Sequence, residues 1–320
     1  MGRLFRSGQG VVGCEARPDH LLLAHVVPGR RPAIKRLQQV PYRDISAEQL
    51  RDIAKASRLR SQPWVWILPH DAYQLMLVDV PDVPEEEIRS ALRWRVKDLI
   101  SFPLEEAAVD TLMLPGEAFR GRSRMAFAAI ARRAQTEPVE SAFGRAGLRL
   151  ASIDIADTAL RTLSTYSSQH NANALLRVEA DQSFLCASYQ GDLCLNRSLS
   201  LRLSDLVSPD EEPHAPAAEG GIALDTDTDV RLDTLALELQ RSFDYFETQL
   251  GLGSLQELRL LTETPLESSL FDFLAKRFSL QAAPLNLADH LDIPDTIDEA
   301  EVARFAVAIG GALQWLGGRK

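Results

Sequence analysis

The side chains able to do chemistry are spread thinly along the chain. Six histidines, His20, His25, His70, His170, His214 and His290, show no HxxxH or HExxH spacing and compose no metal site by pattern. No GxSxG or other nucleophile-plus-base signature is present. Cys14, Cys186 and Cys194 are an odd number without a CxxC pair, and they read as buried, reduced thiols. A Cys186–Cys194 disulfide across a hairpin is the alternative, out of place in a reducing compartment. Gly8-Gln9-Gly10 and Gly220-Gly221 stand isolated, as turns and not phosphate loops. No residue is singled out as catalytic, and no metal is expected. One aromatic does stand out, since Trp94 lies among Arg93, Arg95 and Lys97 on the helix side away from Ile88, Leu92 and Leu99. An exposed aromatic among cations suits a protein-binding surface. The other reading is that neighbouring strands cover it. Phe102-Pro103-Leu104 is either a groove edge or a helix stop.

These residues need elements to hold them. Gly10–Val27 reads as two strands around Arg17-Pro18-Asp19-His20, followed by a strand over Ala33–Val40 and a helix over Ser46–Arg58 capped by Ser46. Trp64–Leu68 is an apolar strand with Trp64 and Trp66 on one face, placed in a core. Gln74–Val80 is a strand. Asp82-Val83-Pro84-Glu85 then supplies a cap and a first-turn proline for a helix burying Ile88, Ala91, Leu92, Val96, Leu99 and Ile100. Strands at Ala107–Leu114 and Arg124–Ala131, a helix at Gln135–Ala146 closed by Gly147, and a strand at Leu150–Ile155 follow. The spacing next predicts a helix over Ala156–Ser167 and strands at Leu175–Val178, Phe184–Tyr189 and Leu193–Leu199, with Gln190-Gly191-Asp192 as the tightest turn. Helices at Leu232–Leu250, Leu266–Phe278 and Val302–Leu316, with a strand at Leu258–Leu261, complete an alternating α/β chain in two halves.

Composition narrows the function classes. Apolar residues are 45% and charged residues 25% of 320, as in a globular protein with substantial cores. No apolar run is long enough for a membrane span, and no signal-peptide core follows the basic Met1–Arg6 end, so a cytoplasmic protein is expected. The net charge of −10 is uneven. Residues 1–150 carry 23 Lys/Arg against 18 Asp/Glu, and residues 151–320 carry 12 against 27. Asp205–Asp229 holds eight acids and no Lys or Arg, and reads as a mobile, solvated loop. Nucleic acid is therefore not an expected partner.

Four segments resemble one family in order along the chain: VPDVPEEEIRSALRWRVKDLISFPLEEAAVD, GRAGLRLASIDIADTALRTL, LALELQRSFDYFETQ and RFAVAIGGALQWL. They are similar to PilM-type pilus biogenesis proteins, including their MshI relatives, the FPLEE block being the most specific. The resemblance implies an actin-like (ribonuclease H-like) two-lobed α/β fold with an inserted small α/β subdomain. The expected division is residues 1–72 for the first lobe, 73–150 for the insertion and 151–320 for the second lobe. In that fold an Asp-x-Gly turn in each lobe meets phosphate and metal, and a Gly-Gly turn makes room for the adenosine.

The sequence departs from all three turns. Glu15 and Arg17 stand in the first, Glu179 and Asp181 in the second, and Glu263 and Thr264 in the third. Acids and side chains where glycines are needed would repel and block a triphosphate, so no nucleotide cofactor is expected. Glu15 and Glu179 read as ordinary strand-end residues, with a paired-carboxylate Mg²⁺ site as the alternative. What the resemblance implies is a non-enzymatic cytoplasmic scaffold of a type IV, MSHA-like pilus platform. It would bind the N-terminal tail of a single-pass inner-membrane PilN-like partner and contact other platform proteins. The groove would fall within residues 20–150, with Trp94, Arg93, Lys97 and Phe102 as candidate contacts. Two other readings stay open. One is an Mg-ATP-binding switch or ATPase using Glu15 and Glu179. The other is a type II secretion platform component, for which a membrane helix beyond the domain would be expected.

Overall fold

The computed structural model describes residues 10–119, 124–206, 226–266 and 268–317. The apolar run β1 (Val11–Ala16) is buried along its length and forms the middle of the first sheet. It pairs antiparallel with β2 (His20–Val27), which pairs antiparallel with β3 (Ala33–Pro41). Helix α1 (Ala47–Ala56) starts at Ser46, whose side chain accepts from the Gln49 N–H, as expected. It returns the chain to β4 (Pro63–Leu68), parallel to β1.

The inserted unit follows. It comprises β5 (Tyr73–Asp79), α2 (Ile88–Arg95), β6 (Ala107–Met113) and β7 (Met125–Arg132), with the antiparallel strand order β5-β7-β6. It has its own core of Val78, Ile88, Leu92, Val96, Leu104, Ala128 and Ile130. The sequence places a cap at Asp82 and Pro84 inside the helix, but Pro84 is extended (ψ 148°) and a single 3-10 turn at Glu85–Glu87 precedes α2. A residue before proline resists helical geometry, which keeps Val83 out of the helix and excludes a cap at Asp82. After Arg95 another 3-10 turn breaks the helical period. Leu99 is therefore 51% exposed instead of joining Ile88, Leu92 and Val96 in the core.

The next helix, α3 (Arg133–Ala146), closes at Gly147 in the left-handed conformation (φ 67°), as expected. Although grouped with the insertion in the sequence, α3 packs on the first sheet. Val139, Ala142 and Phe143 share a core with Leu50 and Ile53 of α1 and with Trp64 and Trp66. The indoles meet Phe143 edge-on at 5.9 and 6.1 Å. Strand β8 (Arg149–Ile155) then adds parallel to β4 at the sheet edge, and α4 (Ala156–Ser167) leads out of the lobe.

The second lobe repeats this plan without the insertion. Strands β9 (Ala172–Val178), β10 (Ser183–Tyr189) and β11 (Asp192–Leu199) form an antiparallel meander, turned at Gln190 (φ 52°) and Gly191 (φ 90°). Positive φ at both residues is what a two-residue hairpin turn of this kind requires. Then come α5 (Thr226–Asp244) with a π-turn at Tyr245–Gln249, β12 (Glu257–Leu261), α6 (Ser268–Phe278), β13 (Gln281–Pro284), α7 (Glu299–Arg304) and α8 (Ala306–Gly317). Residues 207–225 of the acidic stretch lie outside the described residues. The sheet orders are β3-β2-β1-β4-β8 and β11-β10-β9-β12-β13, one motif twice. The single helix expected over Val302–Leu316 is two, since Phe305 breaks it.

The helices that end the two motifs are exchanged. Helix α8, from the second lobe, lies on β1, β2 and β4, while α4, from the first, lies on β9, β10 and β11. They cross between the sheets, and all of Ala306–Leu313 is buried. Two glycines allow this approach: a Cβ on Gly13 would sit 1.8 Å from the Ala308 carbonyl oxygen, and one on Gly310 2.4 Å from that of Ala159. The resulting core joins Val65 and Ile67 to Leu160, Leu176, Leu258 and Ile309. Among the described residues no helix is long and apolar enough to cross a membrane.

Candidate functional site

Where the two lobes meet, β1 and β9 end in matching turns. Arg17 N–H donates to the His20 carbonyl and Glu179 N–H to the Gln182 carbonyl, both at 2.9 Å. This makes Arg17 the equivalent of Glu179, and Glu15 the equivalent of Arg177. The sequence aligns Glu179 and Asp181 with the first turn, two residues too late. No glycine marks the register there, and Asp181 is an exposed turn residue. Arg177, 5% exposed, is the member of the site that the sequence gives no sign of.

The four side chains form a ring. Within the lobes Arg17 Nε lies 3.1 Å from Glu15 Oε1, and Arg177 Nη2 lies 2.6 Å from Glu179 Oε1. Across the cleft Arg177 Nη2 is 3.7 Å from Glu15 Oε1, and Arg17 Nη2 is 3.8 Å from Glu179 Oε1. Glu15 is 6% exposed, so its charge has left water and depends on these partners. A cavity of about 250 Å³ adjoins the ring, lined also by Leu261–Thr264 and Ala303. The Glu263 carboxylate turns to Arg304 at 2.9 Å, and the Thr264 N–H reaches only Thr262 Oγ1 at 3.4 Å.

These residues do not suit Mg-ATP. A divalent ion needs carboxylate oxygens free to coordinate it, and both carboxylates here already face guanidinium groups. The cavity is smaller than the roughly 300–1,000 Å³ of ordinary ligand pockets, and Glu179 and Glu263 line it. Among the described residues no three His, Cys, Asp or Glu side chains converge on a metal position.

Beside the ring a second polar cluster spans the lobes. Asp157, in the first turn of α4 and 1% exposed, accepts from Tyr73 Oη at 2.5 Å and from Asn196 Nδ2 at 2.6 Å. Tyr73 Oη is 3.0 Å from His70 Nδ1, and the His70 ring stacks on Phe184 at 3.8 Å. Burial pushes the Asp157 carboxyl above its usual range. Burial, with Arg177 and Arg17 nearby, lowers His70 to about 3 and keeps it neutral. Nothing in the spacing of His70, Tyr73 and Asp157 reveals this cluster, because 84 residues separate Tyr73 from Asp157.

A groove of about 480 Å³ runs along β8. It is lined by Leu150–Ile155, by Ala108–Asp110 of β6, by Ala129–Ala131 of β7, and by Thr136 and Glu140 of α3. Both β8 and β6 are edge strands. Its charged lining residues are Asp110, Glu140 and Asp154, all acidic. Asp110 is held by Arg89 at 2.6 Å. Asp154 accepts from Ile155 N–H and Thr158 Oγ1, and burial raises its pKa.

The α2 surface resolves the two readings of Trp94, which is 65% exposed with Lys97 Nζ 5.9 Å from its ring centre. Arg93 instead donates to the Leu104 carbonyl, and Phe102 lies under the Arg132 guanidinium at 4.0 Å. Trp94 and Lys97 thus touch each other, while Arg93 and Phe102 have other partners. Cys14, Cys186 and Cys194 are free and buried.

No protein-family model matches the sequence, and no curated protein matches it. Among solved structures, 96% of the chain superposes on 98% of a chain in a PilM–PilN type IV pilus biogenesis complex, with a TM-score of 0.66 and 22% identity. It is also similar to the cytoplasmic domain of EpsL, an inner membrane component of the type II secretion system of Vibrio cholerae. That match covers 98% of this chain and 96% of the other, with a TM-score of 0.51 and 11% identity. Identities this low carry the architecture alone, and with the doubled sheet they identify the chain as a two-lobed α/β protein of the actin-like fold with a small α/β unit inserted in its first lobe.

Proposed function

We propose that this protein is a non-catalytic scaffold of a type IV pilus assembly platform, holding the cytoplasmic tail of a single-pass, PilN-like inner-membrane protein in the β8 groove. The observation that carries this reading is the groove itself. An edge strand lies open beside an apolar trough whose charged lining is acidic. An extended tail can add to a free strand edge by main-chain hydrogen bonds. Cytoplasmic flanks of membrane helices are rich in Lys and Arg, which matches the sign of the lining. The protein would then sit at the cytoplasmic face of the inner membrane through its partner, with Trp94 and Lys97 available to further platform proteins. The FPLEE block and the segments around it favour the MshI branch and an MSHA-like pilus. The ring of Glu15, Arg17, Arg177 and Glu179 supports a cleft that takes no nucleotide and performs no hydrolysis.

Two titrations test this. A synthetic PilN-like tail peptide is expected to bind, and Ala151→Trp, which fills the groove, is expected to weaken binding at least tenfold. Undiminished binding by Ala151→Trp would move the tail elsewhere. Mg-ATP is expected to give no heat up to millimolar concentration in calorimetry, with an Asp-x-Gly-bearing relative as positive control. Micromolar binding would restore the nucleotide switch. The similarity to the EpsL cytoplasmic domain supports a second reading, a type II secretion platform. Copurification with a secretion-type partner in place of a pilus-type one would establish it.

A further inference from the structure

The ring at the cleft has a geometry that its composition alone does not demand. The two lobes present the same turn with inverted charge, Glu15 and Arg17 on one side and Arg177 and Glu179 on the other. Each lobe carries a complete acid–base pair at hydrogen-bond distance, 3.1 and 2.6 Å. Each cross-lobe pair stands nearly 1 Å further apart, at 3.7 and 3.8 Å. Two polar atoms of the ring, Glu15 Oε2 and Arg17 Nη2, are buried without a hydrogen-bond partner. Such atoms cost free energy until they are paired.

We propose that these four residues are a clasp with two settings, in which the lobes open on their own pairs and close by exchanging them across the cleft. Charge-assisted hydrogen bonds form at about 2.7–2.9 Å. An approach of roughly 1 Å therefore converts both cross-lobe contacts into bonds, one of which pairs the orphaned Arg17 Nη2 with Glu179. Opening strands no charge, because each lobe keeps a neutral pair. The position of the lobes is thus set by the protein's own charges and needs no ligand in the cleft. This inference stands apart from tail binding, which concerns the β8 edge of the first sheet, whereas the ring sits at the end of its central strand β1.

Two double variants favour the closed setting to different degrees. Arg17→Glu with Glu179→Arg makes each within-lobe pair like-charged and leaves both cross-lobe pairs attractive, so it should lock the clasp closed. Arg17→Gln with Glu179→Gln removes both within-lobe pairs and one cross-lobe pair, leaving Glu15–Arg177 across the cleft as the remaining attraction, at positions about one quarter exposed where folding is readily kept. Spin labels at Lys55→Cys and Lys276→Cys, one exposed site in each lobe, report the interlobe distance in the full chain. The expected result is a shorter, narrower distribution in the charge-swapped variant and a smaller shift in the same direction in the neutral variant. Lys35→Gln, which removes an exposed charge on the edge strand β3, should leave the distribution as in the parent. The clasp is overturned if both double variants keep the parent distribution, or if the swapped one widens it. A swapped variant that does not fold leaves the neutral variant to decide, a parental distribution there overturning the proposal.

Discussion

The interlobe cleft and the β8 groove are concave surfaces of one molecule built on opposite principles. The cleft lies at the ends of β1 and β9 and is occupied by its own charges, two acids facing two arginines. The groove lies along the side of β8 and is lined largely by small and aliphatic residues, its few charged side chains being Asp110, Glu140 and Asp154. In the cleft every charge has a partner within 4 Å, so a newcomer would have to break a pair. In the groove the backbone of an edge strand is left without a neighbour on one side, so a newcomer completes something. A fold can keep its architecture while the surface that recruits moves from one place to another. That difference follows from side chains in the cleft and from strand position in the groove, which the inserted sheet also helps to line.

The largest expected effect belongs to the cleft. Arg177→Ala leaves Glu15 buried beside a single guanidinium, and breaking a buried pair costs about 3–5 kcal/mol. Urea denaturation should show a loss of that order, and a loss below about 1 kcal/mol would mean that water already solvates the ring.

A medium effect is expected at the cluster next to it. Neutral His70 in the folded chain, lowered to about 3, faces an unfolded value near 6.5. Its stabilisation is full above pH 6.5 and declines as the pH falls from there toward 3, because only the unfolded chain takes up the proton. The loss between pH 6.5 and 5 is about 2 kcal/mol. Asp157, raised by burial, acts in the opposite sense, its contribution being present at low pH and lost as pH rises through its folded value. His70→Gln should flatten the acid limb of the stability profile above pH 5. An unchanged slope would place the titration elsewhere.

The smallest effect is at the surface. Trp94→Ala should change stability by less than about 0.5 kcal/mol, since the indole is 65% exposed. Tail-peptide affinity should also hold. A loss of affinity would extend the recruiting surface from the groove onto α2.

Local chemistry carried most of the architecture into the sequence. Gly147 ends α3, Gln190-Gly191 turns a hairpin, and alternation along β4 buries Trp64 and Trp66. Each is decided by a few neighbouring residues. The four-residue β13, QAAP, carries no strand signal of its own and exists because β12 offers it an edge. Leu99 misled because a single 3-10 turn rotates it out of the helical period. The candidate site was half legible. Glu15 and Glu179 meet at one cleft, but Arg177 reads in the sequence as one more residue of an apolar strand, and only the pairing of two distant turns gives it a role. The polar cluster of His70, Tyr73 and Asp157 was invisible for the same reason.

The exchange of α4 and α8 also governs the order in which the chain can mature. The sheet that is synthesised first has the inner face of β1, β2 and β4 covered by Ala306–Leu313, more than two hundred residues downstream. During synthesis from the N-terminus that greasy face must wait, exposed, until α8 has left the ribosome. A nascent first half is therefore a natural client for a chaperone, and neither half, expressed alone, is a module that could be borrowed without the other.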